Sequence, residues 1–289
     1  MNKGPQSPKT ICLGEVSKPY LVCGGPYSNL EASLVLKDLA DRAGYEAGQV
    51  ICTGDMVGYC ADANQTVALF RSWGVHAIQG NVEIQLASES DDCGCNFNEG
   101  SVCKELSNRW YDYARQNLER QHAAWFAALP QILTLTWRGK RIVVLHGGYT
   151  QTAMFIFRTT TQAVKLAEMA ACAADIVIGG HAGLPFVDEV APGKYWVNAG
   201  VIGMPPNDGT DRVWYLKLVP GDDGLKLRHE AYRYDAAKAR SKMLEASLPE
   251  AYANALVTGI WPSHDILPAV EAAAAGQPLA IKEWVVGWA

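Results

Sequence analysis

Positive charge is scarce in this 289-residue chain: 25 Lys and Arg stand against 30 Asp and Glu, a formal net charge of −5. A surface built for nucleic acid or anionic lipid wants the opposite balance. Long apolar runs are missing too, since none approaches the ~18 uninterrupted residues of a membrane span. The opening MNKGPQSPKTICLGEV has no apolar segment of the signal-peptide kind. A cytoplasmic protein with neither a membrane nor a nucleic acid as main partner is expected. Also absent are the G-x-S-x-G elbow, the P-loop and G-x-G-x-x-G, which removes the commonest serine-hydrolase, nucleotide-triphosphatase and Rossmann readings. The eight cysteines contain no C-x-x-C pair. In a long chain without an export signal they read as reduced thiols or metal ligands rather than a disulfide framework. With 49% apolar and 19% charged residues, disorder is excluded.

What is present is an early alternation of strand and helix. Asn29 is placed to cap a helix over 29–43 with Leu30, Leu34, Val35 and Leu39 on one face and Gly44 past its end. Further helices are expected over 64–73, over a long 104–129 closed by Pro130, and over 160–173. Short β-type runs lie at 20–23, 49–52, 76–78, 142–145 and 175–178. Later runs at 132–137 and 141–145, 186–190 and 195–197, and 213–219 and 225–232 are joined by turns around Gly139, Gly193 and Gly224, and read as hairpins. Mixed sheets covered by helices follow, an α+β architecture. Residues 1–235 form the main domain in this reading. Residues 236–289 are a helical extension packed on it, ending in the Trp-rich IKEWVVGWA, whose apolar character suggests docking on the body or in a homo-oligomer.

The most informative pattern repeats. VICTGD ends at Asp55, HAIQGN at Asn81, RIVVLHGG contains His146, DIVIGGH ends at His181, and YWVNAG contains Asn198. In each, an apolar strand runs through small residues into a side chain able to bind a metal, and C-terminal strand edges are where such sheets build sites. Glycine beside Asp55, Asn81, His146 and His181, and two residues after Asn198, lets the backbone turn sharply and leaves room for an ion or a phosphate. A carboxylate, an amide oxygen and two imidazoles suit a divalent transition metal, Mn, Fe or Zn, better than Ca. With a single carboxylate the loaded site keeps a net positive charge, which favours an anionic substrate such as a small-molecule phosphate ester.

The motifs GGPYSNLEA, TGDMVGY, GNVE, LHGG, GGHAG and VNAGVIGMP, in this order over about residues 18–220, resemble the calcineurin-like metallophosphoesterase superfamily, most of all its small bacterial phosphatase and phosphodiesterase branch. The resemblance implies a four-layer α/β/β/α sandwich of two mixed β-sheets and, usually, two metals that activate a bridging hydroxide. Asp55 matches the bridging aspartate, and Asn81, His146 and His181 match the other ligands of one metal, with Asn81 and His146 also in the catalytic set. The other metal's private ligands are missing. Gly25 and Tyr27 stand at the first motif's aspartate and histidine, and Gly183 at the second histidine of Gly-His-x-His. Val82 occupies the position of a histidine thought to assist the leaving group, and Glu83 follows where an aspartate is common. Losing one metal's ~4 kcal/mol of charge stabilisation slows a reaction by about three decades. A single-metal phosphoesterase is therefore expected, and a non-catalytic binding or scaffold member is the alternative.

Three further positions are candidates for substrate binding, each with a simpler role beside it. Tyr27 either hydrogen-bonds a phosphoryl oxygen or fills vacated space. Asn198 either faces the phosphate or stabilises a turn, and Arg158 either binds the phosphate or is a solvated surface residue. Cys93, Cys95 and Cys103 fall within the segment ESDDCGCNFNEGSVCKE. They either hold zinc or act in redox chemistry, or are ordinary thiols in a loop near Asn81. Cys12, Cys23, Cys52 and Cys172 sit in or beside apolar runs and read as small core hydrophobes.

Overall fold

A computed structural model describes residues 8–287. In chain order its elements are β1 (Thr10–Glu15), β2 (Tyr20–Cys23), α1 (Leu30–Arg42), β3 (Val50–Cys52), α2 (Ala63–Trp73), β4 (His76–Ala77), α3 (Asn81–Ala87), α4 (Val102–Asn117), α5 (Arg120–Ala128), β5 (Ile132–Trp137), β6 (Lys140–Val144), α6 (Gln162–Ala171), β7 (Ile176–Gly179), β8 (Phe186–Ala191), β9 (Lys194–Asn198), β10 (Val213–Pro220), β11 (Leu225–Tyr232), α7 (Ala236–Glu245), α8 (Glu250–Thr258), α9 (Ala269–Ala273) and β12 (Trp284–Val286). A short 3₁₀ turn, Ala47–Gln49, precedes β3.

The strands form two six-stranded mixed sheets, ordered β1-β5-β6-β7-β9-β8 and β12-β11-β10-β2-β3-β4. The fold is α+β, with the sheets face to face and helices outside. The central strands β2, β3 and β7 carry no charged residue and are buried almost throughout, and their period of two sends successive residues to different cores. Val22, Ile51, Ile142, Val144, Ile176 and Ile178 enter the core between the sheets. Leu21, Val50 and Cys52 face the helical layer of α1, α2, α4, α7 and α8, and Val143 and Val177 face α6 on the opposite side. The three expected hairpins are present as the antiparallel pairs β5/β6, β8/β9 and β10/β11.

Several local expectations are corrected. The helix expected over 104–129 is two, because Leu118 and Glu119 are extended. The Asn64 carboxamide donates to Asn117 O at 2.9 Å and accepts Glu119 N–H at 2.9 Å, satisfying backbone groups freed by the break. β1 has no counterpart in the sequence reading. It is an edge strand parallel to β5 and solvated on both faces, so it lacks alternation, and its Cys12 is exposed rather than a core thiol. The tail is helical only in part. α7, capped by Asp235, is tied to α1 by Lys242 Nζ at 2.7 Å from the buried Glu31 carboxylate and 2.5 Å from Asp62. Trp284–Val286 is a strand that extends the second sheet beside β11, while Trp288 lies outside the described residues.

Candidate metal centre

β2, β3 and β4 run parallel in one sheet, and β6, β7 and β9 in the other, so six C-terminal strand ends open at one edge of the sandwich. The two edges are joined where Gly24 N–H donates to Gly200 O at 3.0 Å. Asp55 follows β3, Asn81 opens α3 after β4, His146 follows β6 and His181 follows β7. All four are buried.

Their donor atoms converge. His146 Nε2 is 2.9 Å from Asn81 Oδ1, 3.0 Å from His181 Nδ1 and 3.2 Å from Asp55 Oδ2. Donors ~2.1 Å from a common ion lie ~3.0 Å apart at right angles, so this is the spacing of a coordination shell. His146 Nδ1–H donates to Thr53 O at 2.7 Å, which fixes the proton there and leaves the Nε2 lone pair facing the cluster. Asp55 Oδ2 and Asn81 Oδ1 can only accept, so each is satisfied either by an imidazole proton or by a cation lying between the four groups. Burial favours neutral groups here, yet the imidazoles hold Asp55 below the usual carboxylate range, and Asp55 in turn holds His146 above the usual imidazole range. Burial pushes His181 down. Outside the cluster, His181 Nε2 is buried and finds no hydrogen-bond partner among the described residues. One divalent transition metal fits this donor set, with Asp55, His146 and His181 as its charged and imidazole ligands.

The supporting shell is specific. Asp55 has φ +54°, a left-handed conformation that costs a non-glycine residue about 1 kcal/mol. Glu83 holds it there: Oε2 accepts Asp55 N–H at 2.7 Å and Gly80 N–H at 2.8 Å, while Oε1 accepts Met56 N–H at 2.8 Å. Burial, with the Asp55 charge beside it, pushes the Glu83 carboxyl up to about 7. Asn81 is oriented by the cysteine loop, its Nδ2 donating to Cys93 O at 2.9 Å and to Cys95 Sγ at 3.3 Å, so that Oδ1 faces His146. Proximity of this loop to the site was legible, because its cysteines follow Asn81 closely; its orienting role was not. The glycine beside Asn81 serves something other than an ion, since a Cβ on Gly80 would collide with the Asp55 carboxylate and the His146 ring.

The remaining candidates separate. The Tyr27 ring lies against Gly25, so that a Cβ there would strike it, and it packs edge-on to Tyr59 at 4.7 Å. At Gly183 a Cβ would sit 3.6 Å from the Trp261 indole, which arrives from beyond α8. Two rings thus stand beside the two glycines, and Trp261 was not anticipated. The Asn198 Oδ1 accepts Gly200 N–H at 2.9 Å, the turn role. Arg158 is exposed and lines a separate cavity of ≈470 Å³ against the C-terminal segment, away from the donor cluster.

Residues 31–219 match the model of the calcineurin-like phosphoesterase superfamily domain. The chain belongs to that superfamily. It is 25% identical over 240 residues, 78% of this chain and 91% of the relative, to an uncharacterized protein of Methanocaldococcus jannaschii. In fold it is similar to a metallophosphoesterase from Sphaerobacter thermophilus, with TM-score 0.63 and 21% identity over 84% of this chain and 99% of that one. It is likewise similar to a hypothetical protein from Pyrococcus horikoshii, with TM-score 0.69 and 17% identity over the same shares. No helix among the described residues is long and apolar enough to cross a membrane.

Proposed function

We propose that this phosphoesterase-family protein hydrolyses a small phosphate ester with one divalent transition metal held by Asp55, Asn81, His146 and His181. The observation that supports the reading is the convergence of Asp55 Oδ2, Asn81 Oδ1 and His181 Nδ1 on His146 Nε2 at 2.9 to 3.2 Å. Such a metal, when bound, supplies Lewis acidity at the phosphoryl oxygen and lowers the pKa of water.

The chain's own residues do the rest. Asp55 is the one carboxylate among the ligands, so the loaded centre keeps positive charge for an anionic phosphoryl group. Thr53 O and the cysteine loop hold His146 and Asn81 in the ligating orientation. Phe155 packs over the His181 ring at 4.3 Å and excludes water from that side. Val82, buried at the start of α3, offers no proton to a leaving group, so the reaction favours esters whose alcohol leaves readily.

The second reading is a binding or scaffold protein without catalysis, and it draws on the Tyr27 ring lying against Gly25, where the resemblance has a ligand to another metal. Elemental analysis of purified protein and of His181→Ala separates the two. About one Mn, Fe or Zn per chain, lost in the variant together with hydrolysis of phosphate esters, is the expected result. Absence of metal after reconstitution, with no hydrolysis, sinks the catalytic reading.

A further inference from the structure

The donor cluster forms one wall of a pocket whose other walls are mostly apolar. Asp55 and His181 line it, together with six aromatic residues, Tyr27, Tyr59, Phe97, Phe155, Tyr252 and Trp261. The rings support one another: Tyr59 meets Tyr27 and Tyr252 edge-on at 4.7 Å each, and Phe155 leans on His181. Trp261 is anchored by its indole N–H to Pro205 O at 2.7 Å and by its backbone N–H to Asn207 Oδ1 at 2.8 Å. No lysine or arginine is among the described residues lining this pocket.

From this the geometry points to the substrate class at the centre proposed above, on which the inference rests: a single phosphoryl or phosphonyl group on an apolar, preferably aromatic, organic group. The anionic end meets Asp55 and His181 through the metal, and the organic end lies among the rings, where its burial is favourable. A second phosphate would be desolvated there without a cation to pair it, and a sugar would exchange full hydration for the few hydroxyls of Tyr27, Tyr59, Tyr252 and Ser263. Polyphosphates and sugar phosphates are therefore disfavoured. The pocket measures ≈60 Å³, below the ~150 Å³ of a cavity that holds a whole benzene, so an aryl ring is taken up in part, with the remainder at the open mouth. An aryl ester also supplies the good leaving group that Val82 calls for, an independent reason for the same class.

Calorimetric titration of Mn-loaded protein with phenylphosphonate, methylphosphonate and inorganic phosphate tests this without turnover. Phenylphosphonate is expected to bind at least about tenfold more tightly than methylphosphonate. That ratio is expected to fall towards one in Trp261→Ala. Because Trp261→Ala also removes the indole anchor to Pro205 O, Ile266→Asp is measured beside it: this half-buried rim residue gives a charge to the apolar wall, and the same fall is expected. Equal affinities for the two phosphonates in the wild type, or a ratio unchanged in both variants, overturn the inference and leave the phosphoesterase reading standing. No binding of any of the three ligands overturns both.

Discussion

The Glu83 carboxylate receives three backbone N–H groups, from Asp55, Met56 and Gly80, and so ties the loop after β3 to the start of α3. It touches no donor atom of the centre, yet it sets where Asp55 stands. Gln in its place keeps the shape but turns one acceptor into a donor facing N–H groups. Glu83→Gln is therefore expected to weaken metal binding by ~10–100-fold, the usual cost of losing a partner that orients ligands. Metal titration reads this, and near-UV circular dichroism checks that the fold is kept. An unchanged affinity would show that Asp55 is held without Glu83. At this scale the candidate ligands were legible, because a polar residue at the end of an apolar strand, with a glycine beside it, has few structural uses. The role of Glu83 was not, since two of its three partners are backbone groups 27 and 28 residues earlier in the chain.

Among the elements, those with strong periodicity agree with the sequence and those defined by a neighbour do not. Asn29 caps α1, its Oδ1 accepting Ala32 N–H at 3.1 Å, and Gly74 ends α2 in the left-handed conformation. The break after Asn117 depends on Asn64, far away in sequence and adjacent in space. β12 is likewise decided by β11: Val286 pairs with Leu225, and Trp284 with Leu227. Val286 is buried in the core between the sheets. Ending the chain at Glu283 uncovers Leu225 and Leu227, and at ~25 cal/mol per Å² the lost burial of one valine and part of one tryptophan is worth about 2 to 3 kcal/mol. A lower denaturant midpoint is expected, and an unchanged midpoint would deny β12 a stabilising role.

Across the whole molecule the two sheets meet at the centre's edge, and one cross-link there is a histidine. His229 on β11 donates from Nε2 to Asn198 O on β9 at 2.7 Å, while its buried Nδ1 has no partner among the described residues. Burial pushes this imidazole down to about 4. Unfolded, it titrates near ~6.5. Between those values the unfolded chain binds more protons, so the contribution is fully present above pH ~6.5 and is lost as pH falls towards ~4, about 3 kcal/mol in all. His229→Gln retains an N–H donor and removes the titration. Its unfolding free energy is expected to fall less between pH 7 and pH 4 than that of the wild type, and identical slopes would place the acid sensitivity elsewhere.

The amino-acid sequence by itself determined where the short apolar strands run, where the hairpins turn, and that Asp55, Asn81, His146 and His181 stand at strand ends. These are consequences of local pattern: period, turn residues and the small-then-polar strand terminus. Tertiary structure alone decided that those four side chains come together, that the cysteine loop and Glu83 orient them, and that Trp261 stands beside Gly183. Trp261 and Gly183 lie in separate parts of the chain, and nothing local to either residue encodes the other. Their juxtaposition depends on α7 and α8 packing against the body, a result of buried area and paired charge summed over the whole fold.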